Sequence, residues 1–135
     1  MRILTAITAS LLCGAALTAF APSANAEVEE QFFWLTSDTS PQGGWAASGV
    51  FADDYGTSSI RACDRGNPDG LRAVTIISWG SYTREVQDAT GSSDSTCASR
   101  DVAEPLRGQV VEVQSCLRNG ATGRKQHCQV DYYTE

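Results

Sequence analysis

His127 is the one histidine of the chain and the natural base for a serine or cysteine nucleophile. Cys63, Cys97, Cys116 and Cys128 are better accounted for as disulfide partners, which leaves only serines to attack. No Gly-x-Ser-x-Gly elbow is present. On an extended strand His127 shares a face with Gln129 and Asp131, so its ring is expected to meet water. Paired carboxylates could hydrolyse glycosides, with Asp53, Asp54, Asp64 and Asp69 as the pool. Nothing in the spacing marks any two of them, and a small domain has little room for an enclosing cleft. No catalytic residue is expected, and no enzyme.

Metal chemistry fares no better. Compact zinc sites hold two cysteines about two to four residues apart, and no pair here has that spacing. The stretch "CDRGNPDG", residues 63–70, has the composition of a calcium loop. Such a loop needs acidic ligands at alternating positions, a central glycine and a closing glutamate. With Asp69-Gly70 at the centre of that frame, Arg65 occupies the first ligand position and Ile76 the last. Starting the frame at Asp64 loses the glycine. The stretch reads instead as a strand connection: Pro68 presets φ, and Asp69-Gly70 supplies the turn. "ADDYG", residues 52–56, is likewise a turn. Neither a metal nor a cofactor is expected.

The first 26 residues read as a cleaved secretory signal peptide. Arg2 gives a basic start, Ile3 to Phe20 carries no charge, and Ala24-Asn25-Ala26 is a small-x-small cleavage site. Secretion into the extracellular space follows, with residues 27–135 as a single domain and no membrane attachment after cleavage. Removing Cys13 with the signal leaves four cysteines, an even number, which in a short exported chain implies two disulfides. Three pairings are open. Cys63–Cys97 with Cys116–Cys128 is favoured, because each joins nearest neighbours along the chain. The formal charge is −6, and the basic residues cluster only at Arg124-Lys125. Nucleic acid and anionic membranes need concentrated positive charge and are not expected as partners.

The aromatic residues are the stronger functional lead. Trp34, Trp45, Trp79, Tyr55, Tyr82, Tyr132 and Tyr133 are many for so short a chain. Strand-borne rings usually enter the core. Tyr55, beside a turn, and Tyr132 or Tyr133, near the C-terminal end, are harder to bury. These three are the expected ligand contacts, able to stack a sugar or anchor a protein.

Short β-rich runs between turn residues must position all of this. They fall at 31–35, 45–51, 58–64, 72–79, 82–87, 109–118 and 125–133. Trp45, Ala47, Gly49 and Phe51 share one face. Val74 and Ile76 lie on one face of their run, and Ile77 and Trp79 on the other, which marks a central strand. Residues 88–108 read as a long loop tied down at Cys97, with at most a short helical turn at 102–106 ahead of what Pro105 permits. The last two runs form a hairpin across "NGATG", residues 119–123. If Cys116 faces Cys128, Val130 falls opposite Gln114 and Tyr132 opposite Glu112, so apolar meets polar. A bulge, a one-residue slip or another cysteine pairing must resolve that conflict. The expected fold is a small antiparallel β-sandwich of about seven strands, held by disulfides.

The run "GGWAASGVFADDYGTSSIRACDRGNPDGLRAV", residues 43–74, resembles a group of small secreted actinobacterial proteins, largely uncharacterised. The likeness lies in Gly-Trp-Ala, then Arg-x-Cys-Asp, then Asp-Gly, then single cysteines toward the C-terminus. It implies a β-rich, disulfide-bonded exported domain and brings no activity with it. The expected function is a non-enzymatic extracellular binding module for a glycan, a small apolar molecule or a protein. The alternative is a secreted inhibitor of an extracellular hydrolase, acting through the 88–108 loop.

Overall fold

The computed structural model describes residues 30–92 and 95–135, with side chains from Phe33 onward. The expected signal peptide at 1–26 lies outside the described residues. Among the described residues eight strands are present: β1 (Glu30–Thr36), β2 (Gly44–Asp53), β3 (Gly56–Gly66), β4 (Arg72–Trp79), β5 (Tyr82–Asp88), β6 (Ala98–Asp101), β7 (Val110–Arg118) and β8 (Lys125–Thr134). They form two four-stranded antiparallel sheets. Sheet A has the order β1-β2-β3-β6, and sheet B the order β5-β4-β7-β8. Among the described residues no helix is long and apolar enough to cross a membrane.

The strand count exceeds the expectation by one. β6 lies inside the 88–108 segment and pairs with β3, Ala62 opposite Ala98 and Ile60 opposite Arg100. No helical turn forms at 102–106; the chain runs on extended, with Val102 N donating to Ser58 O at 3.0 Å. Pairing with β3 thus continues past the end of β6 and satisfies backbone that a helical turn would have had to satisfy internally.

The core lies between the sheets. Ala46, Val50, Ile60 and Ala62 of sheet A meet Ala73, Ile77, Trp79, Val86, Val111, Val113 and Leu117 of sheet B. β4 is central in its sheet and apolar on both sides, as its sequence requires. Ile77 and Trp79 point inward, while Val74 and Ile76 point outward and form a second small cluster with Cys116, against which Cys128 packs. Polar side chains roof that outer cluster. Arg118 grips Glu85 through two contacts of 2.5 and 3.0 Å, and Gln87 donates to Glu85 at 2.7 Å. Burial pushes the Glu85 carboxyl up, but the hydrogen bonds from Arg118 and Gln87 and the positive charges outweigh it and hold it below the ordinary glutamate range.

Three buried hydroxyls stitch the sheets together at mid-core. Thr75 Oγ1 lies 2.6 Å from Ser48 Oγ, which lies 2.8 Å from Ser115 Oγ; Ser115 donates to Ala46 O at 3.3 Å. Thr75 Oγ1 also lies 2.8 Å from Arg61 O, and each hydroxyl can donate once, so the run across the interior ends on a carbonyl either way, as Thr75→Ser48→Ser115→Ala46 C=O or as Ser115→Ser48→Thr75→Arg61 C=O. Ser48→Ala, Thr75→Val and Ser115→Ala should each cost about 1–3 kcal/mol, because each removes a buried hydrogen-bond partner from its neighbours. Replacing all three together should cost less than the sum. Urea midpoints of the four variants would decide it, and strict additivity would contradict a coupled run.

Both disulfides are the favoured ones, Cys63–Cys97 and Cys116–Cys128. Cys63 and Cys97 form the rung next to the Ala62–Ala98 pair, on the outer skin of sheet A. Cys116 and Cys128 cross β7 and β8 on the outer skin of sheet B. The apolar-opposite-polar pairing of the hairpin persists and is accommodated by exposure, with Val130 43% and Tyr132 57% exposed, and a bulge lies on the turn side of it. Gln114 faces Val130 and Glu112 faces Tyr132, while beyond Ser115 the register shifts so that Leu117 meets Gln126. His127 is the extra residue, half-buried rather than facing water, with φ of 55°. Histidine is among the residues that tolerate this left-handed region, and a bulge supplies the need for it.

Candidate functional site

The stretch at 63–70 is a joint, as its composition requires. β3 runs through Gly66, and Asp69 Oδ1 accepts from Leu71 N at 2.9 Å, an Asx-type turn. Asn67 N donates to Gly43 O at 3.1 Å, which ties this joint to the turn before β2. Among the described residues no group of three or more histidine, cysteine or acidic side chains is placed to hold a metal ion.

The three expected ligand contacts part company. Tyr55 stands at the β2–β3 turn, 71% exposed, with its N bonded to Asp53 Oδ1 at 2.8 Å. Tyr132 is 57% exposed on the outer face of sheet B, where the charge of Glu112 and a hydrogen bond to it raise the phenol above its usual range. Tyr133 turns inward instead. Its ring lies 5.4 Å from Phe33, and its hydroxyl is 2.9 Å from Thr57 Oγ1. Burial pushes this phenol up to about 12, with the Glu135 charge adding and the Thr57 hydrogen bond opposing. Tyr133 is a fixture of the sandwich end, and the three tyrosines share no common surface.

The aromatic surface that does assemble is the outer face of sheet A. Trp45, Ala47, Gly49 and Phe51 of β2 share that face, as the period of two demands. On β1, Trp34 pairs with Gly49 and Thr36 with Ala47; on β3, Arg65 pairs with Trp45 and Cys63 with Ala47. The Trp34 indole lies across Gly49. A Cβ there would come 2.9 Å from Trp34 Cζ3 and 2.7 Å from Phe51 Cε2. Absence of a side chain at 49 is what lets the ring lie down on the sheet. Trp34 is nevertheless 42% exposed. The Arg61 guanidinium sits 3.9 Å from the Phe51 ring centroid, within cation–π range. At the other end Trp45 is half-buried and leans over Gly66, and Arg65 Nη2 lies 3.4 Å from Cys97 Sγ. Two indoles, a phenyl ring, two guanidinium groups and the Thr36 hydroxyl therefore share one face.

Sequence reasoning placed Trp34 and Trp45 with the core. The available signal was the glycine: large rings alternating with Ala47 and Gly49 mark a place where something must lie close to the backbone. Trp79, by contrast, is buried and stacks on Tyr82 at 4.1 Å. The chain matches no known protein family, no curated protein and no solved structure.

Proposed function

We propose that this protein is a secreted, non-enzymatic binding module that holds an extracellular glycan against the outer face of sheet A. The observation that carries the reading is Trp34, an indole laid over a glycine with one side left toward solvent. The C–H side of a pyranose ring is weakly positive and complements the negative face of an aromatic ring. A rigid ring on a sheet adds little ordering cost when it binds, unlike a ring on a mobile loop. Thr36 and the guanidinium groups of Arg61 and Arg65 lie at the border, where sugar hydroxyls would fall. Export as the setting is supported by the two disulfides and by the composition of residues 1–26.

The test is binding of the oxidised protein to cell-wall polysaccharide, followed by tryptophan fluorescence. Trp34→Ala should weaken binding about tenfold or more, or about 1.4 kcal/mol. Gly49→Ala should weaken it as well by lifting the indole, with little change in melting temperature, because ring ends can move aside. Unchanged affinity in both variants would sink the reading.

A second reading has one observation in its favour. Leu106 is 76% exposed at a turn held by Gln109 N to Leu106 O at 2.9 Å and Leu106 N to Gln109 Oε1 at 3.0 Å. A fixed, exposed apolar side chain in the 88–108 segment, itself tied to the body at Cys97, suits an inhibitor of an extracellular hydrolase. Inhibition of a protease or amylase panel, lost in Leu106→Gly, would favour it over glycan binding.

A further inference from the structure

Three carboxylates converge at the pole of the sandwich where β3 and β5 end. Asp64 points inward from β3 and is 2% exposed; Asp88, the last residue of β5, is also buried. Asp69 reaches in from the β3–β4 turn and lies against Gly44, where any side chain would collide with its carboxylate. Both oxygens of Asp88 are used as acceptors: Oδ2 takes Asp64 N at 2.9 Å, and Oδ1 takes Thr90 N at 3.0 Å and Thr90 Oγ1 at 2.6 Å. Asp69 Oδ1 takes Leu71 N. Two buried oxygens are left without a hydrogen bond, Asp64 Oδ1 and Asp69 Oδ2. The charged groups acting on Asp64 are Asp69 from the turn, Asp88 from β5 and Arg65 from its own strand; β2 contributes Ala46 opposite, which carries no charge.

We propose that this cluster is a proton-operated latch: as the surroundings acidify Asp64 takes up a proton, donates it toward Asp69, and so clamps the β3–β4 turn, which lies against the start of β2 at Gly44, onto β3. A buried carboxylate with one oxygen left without a hydrogen bond is costly when ionised and becomes a donor when neutral. Burial pushes the Asp64 carboxyl up to about 6, the Asp69 and Asp88 charges add to it, and the contacts with Arg65 partly oppose it. The folded chain therefore holds this proton more tightly than the unfolded chain, whose value is 3.8. The stabilisation is complete below the unfolded value and is lost as pH rises through about 6. A divalent cation is the competing occupant, and the described acidic groups are not arranged to hold one.

Thermal melting of the oxidised protein between about pH 4.5 and about pH 7.5 tests the latch, alongside a carboxyl-carbon NMR titration of Asp64. The native protein should melt at least about 5 °C higher near pH 5 than near pH 7. Asp64→Asn carries a permanent donor, so it should lose that slope and melt above the native protein near pH 7. Should that variant not fold, Asp69→Asn serves: it should bring the Asp64 titration down and flatten the slope. An Asp64 that titrates near 4, or an Asp64→Asn that keeps the native slope, overturns the latch. So does calcium chloride that raises the native melting temperature near pH 7 but not that of Asp64→Asn, since the occupant is then a cation.

Discussion

Reduction and alkylation of both disulfides should unfold the protein at ordinary temperature. Cys63–Cys97 spans 34 residues and Cys116–Cys128 spans 12, and on a chain-entropy account these contribute about 4 and about 3 kcal/mol. A domain of this size has a total stability of about 5–15 kcal/mol, so the two together rival the whole. Loss in the folded state adds to loss of restraint in the unfolded one. Cys116 is buried among Val74 and Ile76, and β6 has β3 as its only sheet neighbour. Circular dichroism and melting of the reduced, alkylated protein decide the matter; a native spectrum with a native melt would refute it. Removing Cys63–Cys97 alone should cost more than removing Cys116–Cys128, because its loop is longer and it also secures β6.

The second large effect is expected at β4, where neighbouring residues serve different cores. Ile77→Ala should cost about 3–4 kcal/mol, the upper part of the range for emptying a well-packed interior. Ile77 is fully buried between the sheets, with neighbouring strands on both sides, so the surroundings cannot close over the void. Ile76→Ala should cost about half as much. Its cluster is small, and its roof of Glu85, Gln87 and Arg118 consists of long side chains that can settle inward. Urea unfolding of the two variants gives the comparison directly. Equal losses would mean that the outer roof is as rigid as the true core.

How much of this was legible beforehand differs from residue to residue. The dual apolarity of 72–79 correctly marked a central strand, because a strand buried on both faces must show it in sequence. The pairing of Val130 with Gln114 and of Tyr132 with Glu112 did not demand an irregularity, because both pairs form with Val130 and Tyr132 left exposed; the bulge at His127 lies on the turn side of them and was not encoded in the pattern. β6 escaped notice because Ala-Ser-Arg-Asp shows no apolar alternation, Ala98 being its one apolar residue and Arg100 on the same face reaching Glu85 O of β5, so its pairing is dictated by β3 and the disulfide. The aromatic face was missed for a different reason. A period of two says which side chains travel together, not which set faces the partner sheet. Ala46, Ser48 and Val50 look less apolar than Trp45, Ala47, Gly49 and Phe51, yet the former set faces inward. The carboxylate cluster joins Asp64, Asp69 and Asp88 through a turn and a sheet-to-sheet crossing, and no local spacing announces it.

Neither sulfur bridge crosses from one sheet to the other; each is a rung within its own sheet, on the outer skin. Under a mechanical load the two halves are therefore joined by apolar packing, by hydrogen bonds such as Asp64 N to Asp88 Oδ2 and Arg100 Nη1 to Glu85 O, and by the peptide crossings. β1 and β2 precede Cys63 and lie outside both covalent loops, so a pull on that end can strip them away against hydrogen bonds and apolar packing, with no covalent stop. Once the sheets part, slack runs out early, because loops of 34 and 12 residues remain closed and the chain stops short of its full contour length. Such a molecule yields readily at first and then arrests, with its covalent rungs serving as stops rather than as the joint that bears the load.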